Sequence, residues 1–310
     1  MADGLDFARV KAVVCEADEL LRRRIQLLLR QLGFADVVVR DKPAECLGLI
    51  ERGPVDLLVC DNQGDAGFGM VRGLRHQAID HNPFVVAIAT LDQRIAAPGA
   101  VAQAVNSGPD ALVLKPFKPA VFVDHVLALA GQRRPFVATA DYIGPTRRQA
   151  PRNRREAAME FTVPNPVQEI AAGTSRAALT ARIRQGTLRL DRRKLGVDLA
   201  EIELRAGDVR RAVINHVDGD AIREALAKLR AATADIERRM AKSGAAPVAE
   251  LCHWMDAVAD RLAGETTRHD PRNLAALPQI LHGLRLALAP RGGQARPAAA
   301  DRPESREELH

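Results

Sequence analysis

Aromatic residues are scarce in this chain of 310 residues. They make up 3% of it, with one Trp and one Tyr. Stacking platforms for nucleic-acid bases need several aromatics set among basic residues, and no such pattern is present. Cysteine is nearly as sparse. Cys15, Cys46, Cys60 and Cys252 stand apart, with no CxxC pair, which excludes a disulfide framework and a clustered zinc site. They read as small buried thiols in a reducing compartment. No run of about 18 uninterrupted apolar residues could span a bilayer, and Met1–Arg9 is too polar for a secretory signal. The expectation is a cytoplasmic protein with no membrane contact. Motifs of nucleotide cyclases, phosphodiesterases, ATPases and kinases are missing too, so no separate enzymatic activity is expected. The net charge of +6 permits an acidic partner without demanding one.

Hydrophobic residues, at 47%, are ample for at least one core. Over the first 131 residues, short β-like runs alternate with amphipathic ones. Lys11–Cys15, Asp36–Arg40, Val55–Cys60, Phe84–Ala89 and Asp110–Leu114 read as strands. Leu20–Leu32, Pro43–Ile50, Met70–His76, Arg94–Asn106 and Pro119–Ala130 read as helices. Gly33 supplies a helix stop. Continuous Val/Ile/Leu strands in five βα units predict an α/β fold, a doubly wound, five-stranded parallel sheet.

In such sheets the site lies beyond the carboxyl ends of the strands. That rule alone gathers Glu16 and Asp18 after the first strand, Asp61 after the third, Thr90 after the fourth and Lys115 after the fifth. Carboxylates and a lysine on one rim suit a divalent cation and a phosphoryl group. Asp18 has a second reading, as the cap of the following helix.

The phrases VVCEAD, LLVCDN, AIAT and LVLKPF, with Gly33-Phe34 and Gly69, resemble the flavodoxin-like receiver domain of bacterial two-component response regulators over residues 8–131. Lys115-Pro116-Phe117 is the sharpest element, because that family uses a cis Lys–Pro bond to aim the lysine. The resemblance implies that Asp61 takes a phosphoryl group from a sensor histidine kinase or a histidine phosphotransfer protein. It implies Mg²⁺ held by Glu16, Asp18, Asp61 and the backbone carbonyl of Gln63. Lys115 would pair with a phosphoryl oxygen, and Thr90 would swing toward it and signal onward. Two departures stand out. Ala17 replaces the second acid of the family's pair, and Gly64-Asp65-Ala66-Gly67 replaces the usual proline loop.

After Gln132 the pattern breaks. Residues 132–165 read as an Arg/Pro-rich linker, extended or disordered. Within it, Arg134-Pro135-Phe136-Val137, Tyr142-Ile143-Gly144-Pro145 and Arg147-Arg148 resemble a phrase that follows receivers in alphaproteobacterial regulators. Five arginines between Arg147 and Arg155 could grip phosphate backbones, but without a DNA-binding motif they read as solvated. Residues 166–290 read as a mainly α-helical output or dimerisation region, hard to parse over 166–215. Beyond that come three apolar seams: Ile222–Met240, Val248–Leu262 and Leu277–Leu288. His253 and His282 lack the context of a phosphotransfer histidine and read as surface residues. Residues 291–310 read as a disordered tail. Output through protein–protein contacts, with a homodimer through these helices, is preferred. A phosphorylation-independent scaffold and a DNA-binding regulator are the competing readings.

Overall fold

The computed structural model describes residues 4–61, 64–79, 81–148, 159–215, 219–241, 246–264 and 270–289. It divides into two compact units, Met1–Glu201 and Ile202–His310.

The first unit opens with the parallel sheet. Strands β1 (Lys11–Cys15), β2 (Asp36–Arg40), β3 (Leu57–Asp61), β4 (Val86–Asp92) and β5 (Ala111–Lys115) lie in the order β2-β1-β3-β4-β5. Helices α1 (Glu19–Gln31), α2 (Pro43–Arg52), α3 (Gly64–Arg75), α4 (Pro98–Asn106) and α5 (Pro119–Gly131) alternate with them. Every strand pair is parallel. Helices cover both faces, which is why the strands are apolar throughout rather than alternating. One core joins β1, β3 and β4 to α1 and α5 through Val14, Ile25, Leu29, Val59, Ile88 and Phe122. The other, on the opposite face, holds Val13, Cys46, Ile50, Leu58, Met70 and Leu74. All four cysteines are free and buried.

Strands β1 and β2 have the bounds that the sequence suggested. Strand β4 runs further, through Thr90 to Asp92, and a 3₁₀ turn (Gln93–Ile95) precedes α4 where one longer helix was expected. Pro98 explains the late start, since proline fits the first turn of a helix and breaks its interior.

The segment expected to be an extended or disordered linker is folded in part, and the compact unit continues well past residue 131. Strands β6 (Phe136–Ala138) and β7 (Ile143–Pro145) form an antiparallel hairpin. Phe136 and Ile143 are buried in a cluster with Phe84, Val163 and Leu190. The basic run 149–155 lies outside the described residues. Helix α6 (Pro166–Ala171) follows, capped by Asn165, and then α7 (Arg176–Ile214). The region 166–215 that resisted reading is therefore mostly one long helix. Its inward stripe includes Gly186, Lys194 and Asp198 among apolar residues, so no hydrophobic period stands out.

Asp110, at the foot of β5, explains why the hairpin docks. Its carboxylate is fully buried and receives Arg75 at 2.9 Å and Arg133 at 2.7 Å. Across from it Gly108 has φ +91°, and a Cβ there would lie 2.5 Å from the Ile143 carbonyl oxygen. Only glycine permits both that conformation and that approach.

The second unit contains the end of α7 with α8 (Gly219–Ala241), α9 (Ala246–Gly264) and α10 (Pro271–Leu288). The three seams are where the sequence puts them. Ile222, Leu226, Leu229 and Ile236 are buried, as are Val248, Met255, Val258 and Leu262, and Leu277, Leu281 and Leu284. Helix α9 packs against both α8 and α10. His253 and His282 are exposed. The tail, 291–310, lies outside the described residues. No helix among those described is long and apolar enough to cross a membrane.

Burial pushes the Asp110 carboxyl up, but the charges and hydrogen bonds of Arg133 and Arg75 outweigh it and hold the group below its ordinary value of 3.8. The stability that this carboxylate contributes is complete above that value and is lost as the pH falls through the lowered one. Asp110→Asn should cost about 3–5 kcal/mol at neutral pH, because two buried guanidiniums lose their counter-charge. Urea unfolding at a series of pH values checks this. The gap between wild type and variant should begin to close below about pH 4 and shrink further as the pH falls through the lowered value, and a gap independent of pH would contradict the assignment.

Candidate functional site at the carboxyl ends of the strands

The rim above the sheet is set by register. Cys15 pairs with Cys60, Asp61 with Thr90, and Asp92 with Lys115. Each strand therefore delivers its last residues, or the residue just after it, to one level. A pocket of about 730 Å³ opens there, lined among others by Glu16, Asp61, Asp92, Arg94, Lys115 and Phe117.

Lys115 is the centre of the cluster. Its Nζ lies 3.2 and 3.3 Å from the two oxygens of Glu16 and 2.9 Å from Asp61 Oδ1. The contact to Asp61 is an ion pair off the line of a hydrogen bond, so that buried oxygen has no hydrogen-bond donor among the described residues. The Lys115–Pro116 bond is cis, as the resemblance implied. Thr90 is fully buried, and its hydroxyl donates to Glu16 Oε2 at 3.2 Å. Glu16 also accepts from the Asp18 backbone N–H at 3.2 Å. Burial is the main cause that pushes the Glu16 carboxyl up, the charge of Asp61 adds to it, and Lys115 pulls the other way.

Four of the expected residues thus meet: Glu16, Asp61, Thr90 and Lys115. Asp18 lines the same pocket, but its side chain takes no part in that bonded cluster. Its carboxylate caps α1, accepting from the Leu21 N–H at 2.8 Å, and it faces solvent. The helix-cap reading of Asp18 is realised, because a free N–H at a helix start attracts a short acidic side chain. Gln63, whose carbonyl was expected to ligate, lies outside the described residues. Among those described, no group of three or more His, Cys, Asp or Glu side chains is placed to hold a metal. The pair that remains, Glu16 and Asp61, still fits Mg²⁺. That ion is commonly bound through one or two carboxylates, with waters and phosphate oxygens completing its shell, and the Asp61 oxygen without a hydrogen-bond donor faces this rim.

The sequence reading missed Asp92 and Arg94. Asp92 ends β4 two residues beyond Thr90, so both side chains lie on the same side of the strand. Hydrogen bonds from the Arg94 side chain and backbone hold its carboxyl low, at about 2. The signal was there in the alternation Thr90-Leu91-Asp92, polar, apolar, polar, which carries the strand past Ala89.

No family model matches the chain. Chemotaxis protein CheY of Pseudomonas aeruginosa is 30% identical over 122 residues, which cover 38% of this chain and 93% of that protein. Among solved structures, CheY4 of Vibrio cholerae is 18% identical over 39% of this chain and 98% of its own, with a TM-score of 0.34. The receiver domain of a sensor histidine kinase from Pseudomonas aeruginosa, with a magnesium ion coordinated in its active site cleft, is 21% identical. It matches 38% of this chain and 94% of its own, with a TM-score of 0.33. The sheet order, the rim of Glu16, Asp61, Thr90 and Lys115, and the match to nearly the whole length of the chemotaxis protein agree: the chain belongs to the CheY-like receiver family of response regulators.

Proposed function

We propose that the chain is a response regulator that accepts a phosphoryl group on Asp61 from the phosphohistidine of a sensor kinase or a histidine phosphotransfer protein. The observation that carries this reading is the ion pair of Lys115 with Asp61 at 2.9 Å, on the rim where Glu16 and Thr90 also lie. An Asp61 oxygen attacks phosphorus, a P–O bond forms, the P–N bond breaks, and its electron pair returns to the imidazole ring. When bound, Mg²⁺ offsets the charge on the phosphoryl oxygens; Glu16 and Asp61 would hold it. Lys115 leaves its bond with Glu16 to meet a phosphoryl oxygen. Thr90 gives up Glu16 for the new acceptor, and that exchange is the start of the signal. Onward signalling would run through protein contacts of the helical region, including a homodimer. No enzymatic output beyond self-phosphorylation is proposed.

Ala17 favours one other reading, a scaffold that docks without phosphotransfer, since it leaves the position of the family's second acid without a carboxylate. Acetyl-phosphate labelling with Mg²⁺, read by intact mass, separates the two. Wild type should gain one phosphoryl group and Asp61→Asn none; equal uptake by both would refute the acceptor, and no uptake by either would favour the scaffold.

Glu16 offers a second test. Its buried charge is disfavoured by burial and by Asp61, so a neutral isostere should relieve the fold while weakening the cation site. Glu16→Gln is expected to melt higher than wild type and to bind Mg²⁺ about 10–100-fold more weakly. Thermal denaturation and Mg²⁺ titration by NMR read the two effects. A lower melting temperature, or unchanged Mg²⁺ affinity, would contradict the role given to Glu16.

A further inference from the structure

The phrase Arg134-Pro135-Phe136-Val137 to Tyr142-Ile143-Gly144-Pro145 takes no part in the chemistry at Asp61, yet buried charges hold it on the receiver. Arg75 and Arg133 flank the Phe136 ring, 5.2 and 4.7 Å from its centroid. Both guanidiniums donate to Asp110 and to the Val85 carbonyl. Arg75 also donates to the carbonyls of Pro83 and Gly108, and Arg133 to those of Phe84 and Pro164. One carboxylate and five backbone carbonyls share the donors of these two guanidiniums.

Its anchor points lie on three elements that each run to the phosphoacceptor rim. Helix α3 begins just past Asp61 and ends at Arg75. Strand β4 begins one residue after Val85 and passes through Thr90. Strand β5 leaves it at Asp110 and ends at Lys115. A five-residue strand spans about 17 Å, so clamp and site sit at opposite ends of the same rods. Close-packed elements pass small displacements along their length rather than absorbing them.

The other side of the hairpin holds the first half of α7. The Ala140 carbonyl accepts from Lys194 at 3.2 Å, and Leu190 packs with Phe84, Phe136 and Ile143. A Cβ on Gly186 would lie 2.8 Å from the Phe84 ring. Gln77, just after α3, donates to Asp191 at 2.7 Å. Arg147 closes the hairpin, donating to the carbonyls of Val105 and Pro109 at 2.9 Å each. It thereby ties the hairpin to the end of α4 and the turn before β5.

We propose that residues 133–147 are a latch that fastens the first half of α7 to the receiver, and that phosphorylation of Asp61 loosens it through α3, β4 and β5. The proposal rests on the phosphoacceptor reading above. Lys115 and Thr90, drawn toward a phosphoryl group, pull the far ends of β5 and β4. Asp110 and the Val85 carbonyl then shift under guanidiniums whose hydrogen bonds are already satisfied in the present arrangement.

Hydrogen exchange on the full chain, with and without acetyl phosphate and Mg²⁺ and with intact mass read in parallel, tests it. The reporting amides are Phe136, Thr139 and Thr146, which bond within and beside the hairpin, and those of residues 183–198 in α7. Phosphorylation should speed their exchange by about fivefold or more, the lower end of ordinary coupling between sites. In Arg147→Ala, whose side chain is exposed, the hairpin should exchange fast already and phosphorylation should add little. Tyr142→Phe, which removes the hydroxyl bond to the Pro145 carbonyl, should act the same way more weakly. A phosphorylated chain whose exchange is unchanged or slowed overturns the latch alone. A wild-type chain that takes up no phosphoryl group overturns the acceptor reading, and the latch falls with it.

Discussion

A carboxylate taken out of water at the foot of a central sheet must be met by positive charge at hydrogen-bonding distance, or the fold cannot keep it ionised. Asp110 is that carboxylate. Its partners come from distant parts of the chain, Arg75 at the end of α3 and Arg133 just past α5. Arg133 in turn brings the following residues back against the sheet, where Phe136 fills the space between the two guanidiniums. The boundary that a five-stranded fold suggests at residue 131 is therefore not where this unit ends. The compact body continues through the hairpin and α6 into the first half of α7.

At the opposite end of the same strands the excess charge has the other sign, two carboxylates to one ammonium. One ammonium, Lys115, is shared by Glu16 and Asp61, and one Asp61 oxygen has no hydrogen-bond donor among the described residues. Such a rim gains from an added cation and from a ligand that offers Lys115 and Thr90 new acceptors. The contrast is physical. The clamp's two guanidiniums are spread over many fixed acceptors and suit a fixed joint, whereas the rim's one ammonium is divided between two carboxylates and suits exchange.

The strands, the rim and the three C-terminal seams were legible because each rests on a strong period or on a rule about parallel sheets. Val13, Leu58 and Ile88 announce buried strands by themselves, and the rule for strand ends places Glu16, Asp61 and Lys115 together. The hairpin was not legible. Its strands have three residues each, too few for any period, and what fixes them is a pairing of Arg133 with Asp110 across more than twenty positions. Helix α7 was hidden for a related reason, since Lys194 and Asp198 occupy its inward stripe as a buried pair. Asp18 shows the limit of residue type as a guide: the same carboxylate suits a cation and a helix start, and only the structure reveals its bond to the Leu21 N–H.

Borohydride reduction of the phosphorylated chain, followed by peptide mapping, addresses the acceptor most directly, because it converts an aspartyl phosphate to homoserine at the position that carried the phosphoryl group. Homoserine at position 61, and nowhere else, is the expected result. Homoserine at Asp92 or Asp65, or none in a chain whose mass records phosphoryl uptake, would contradict it.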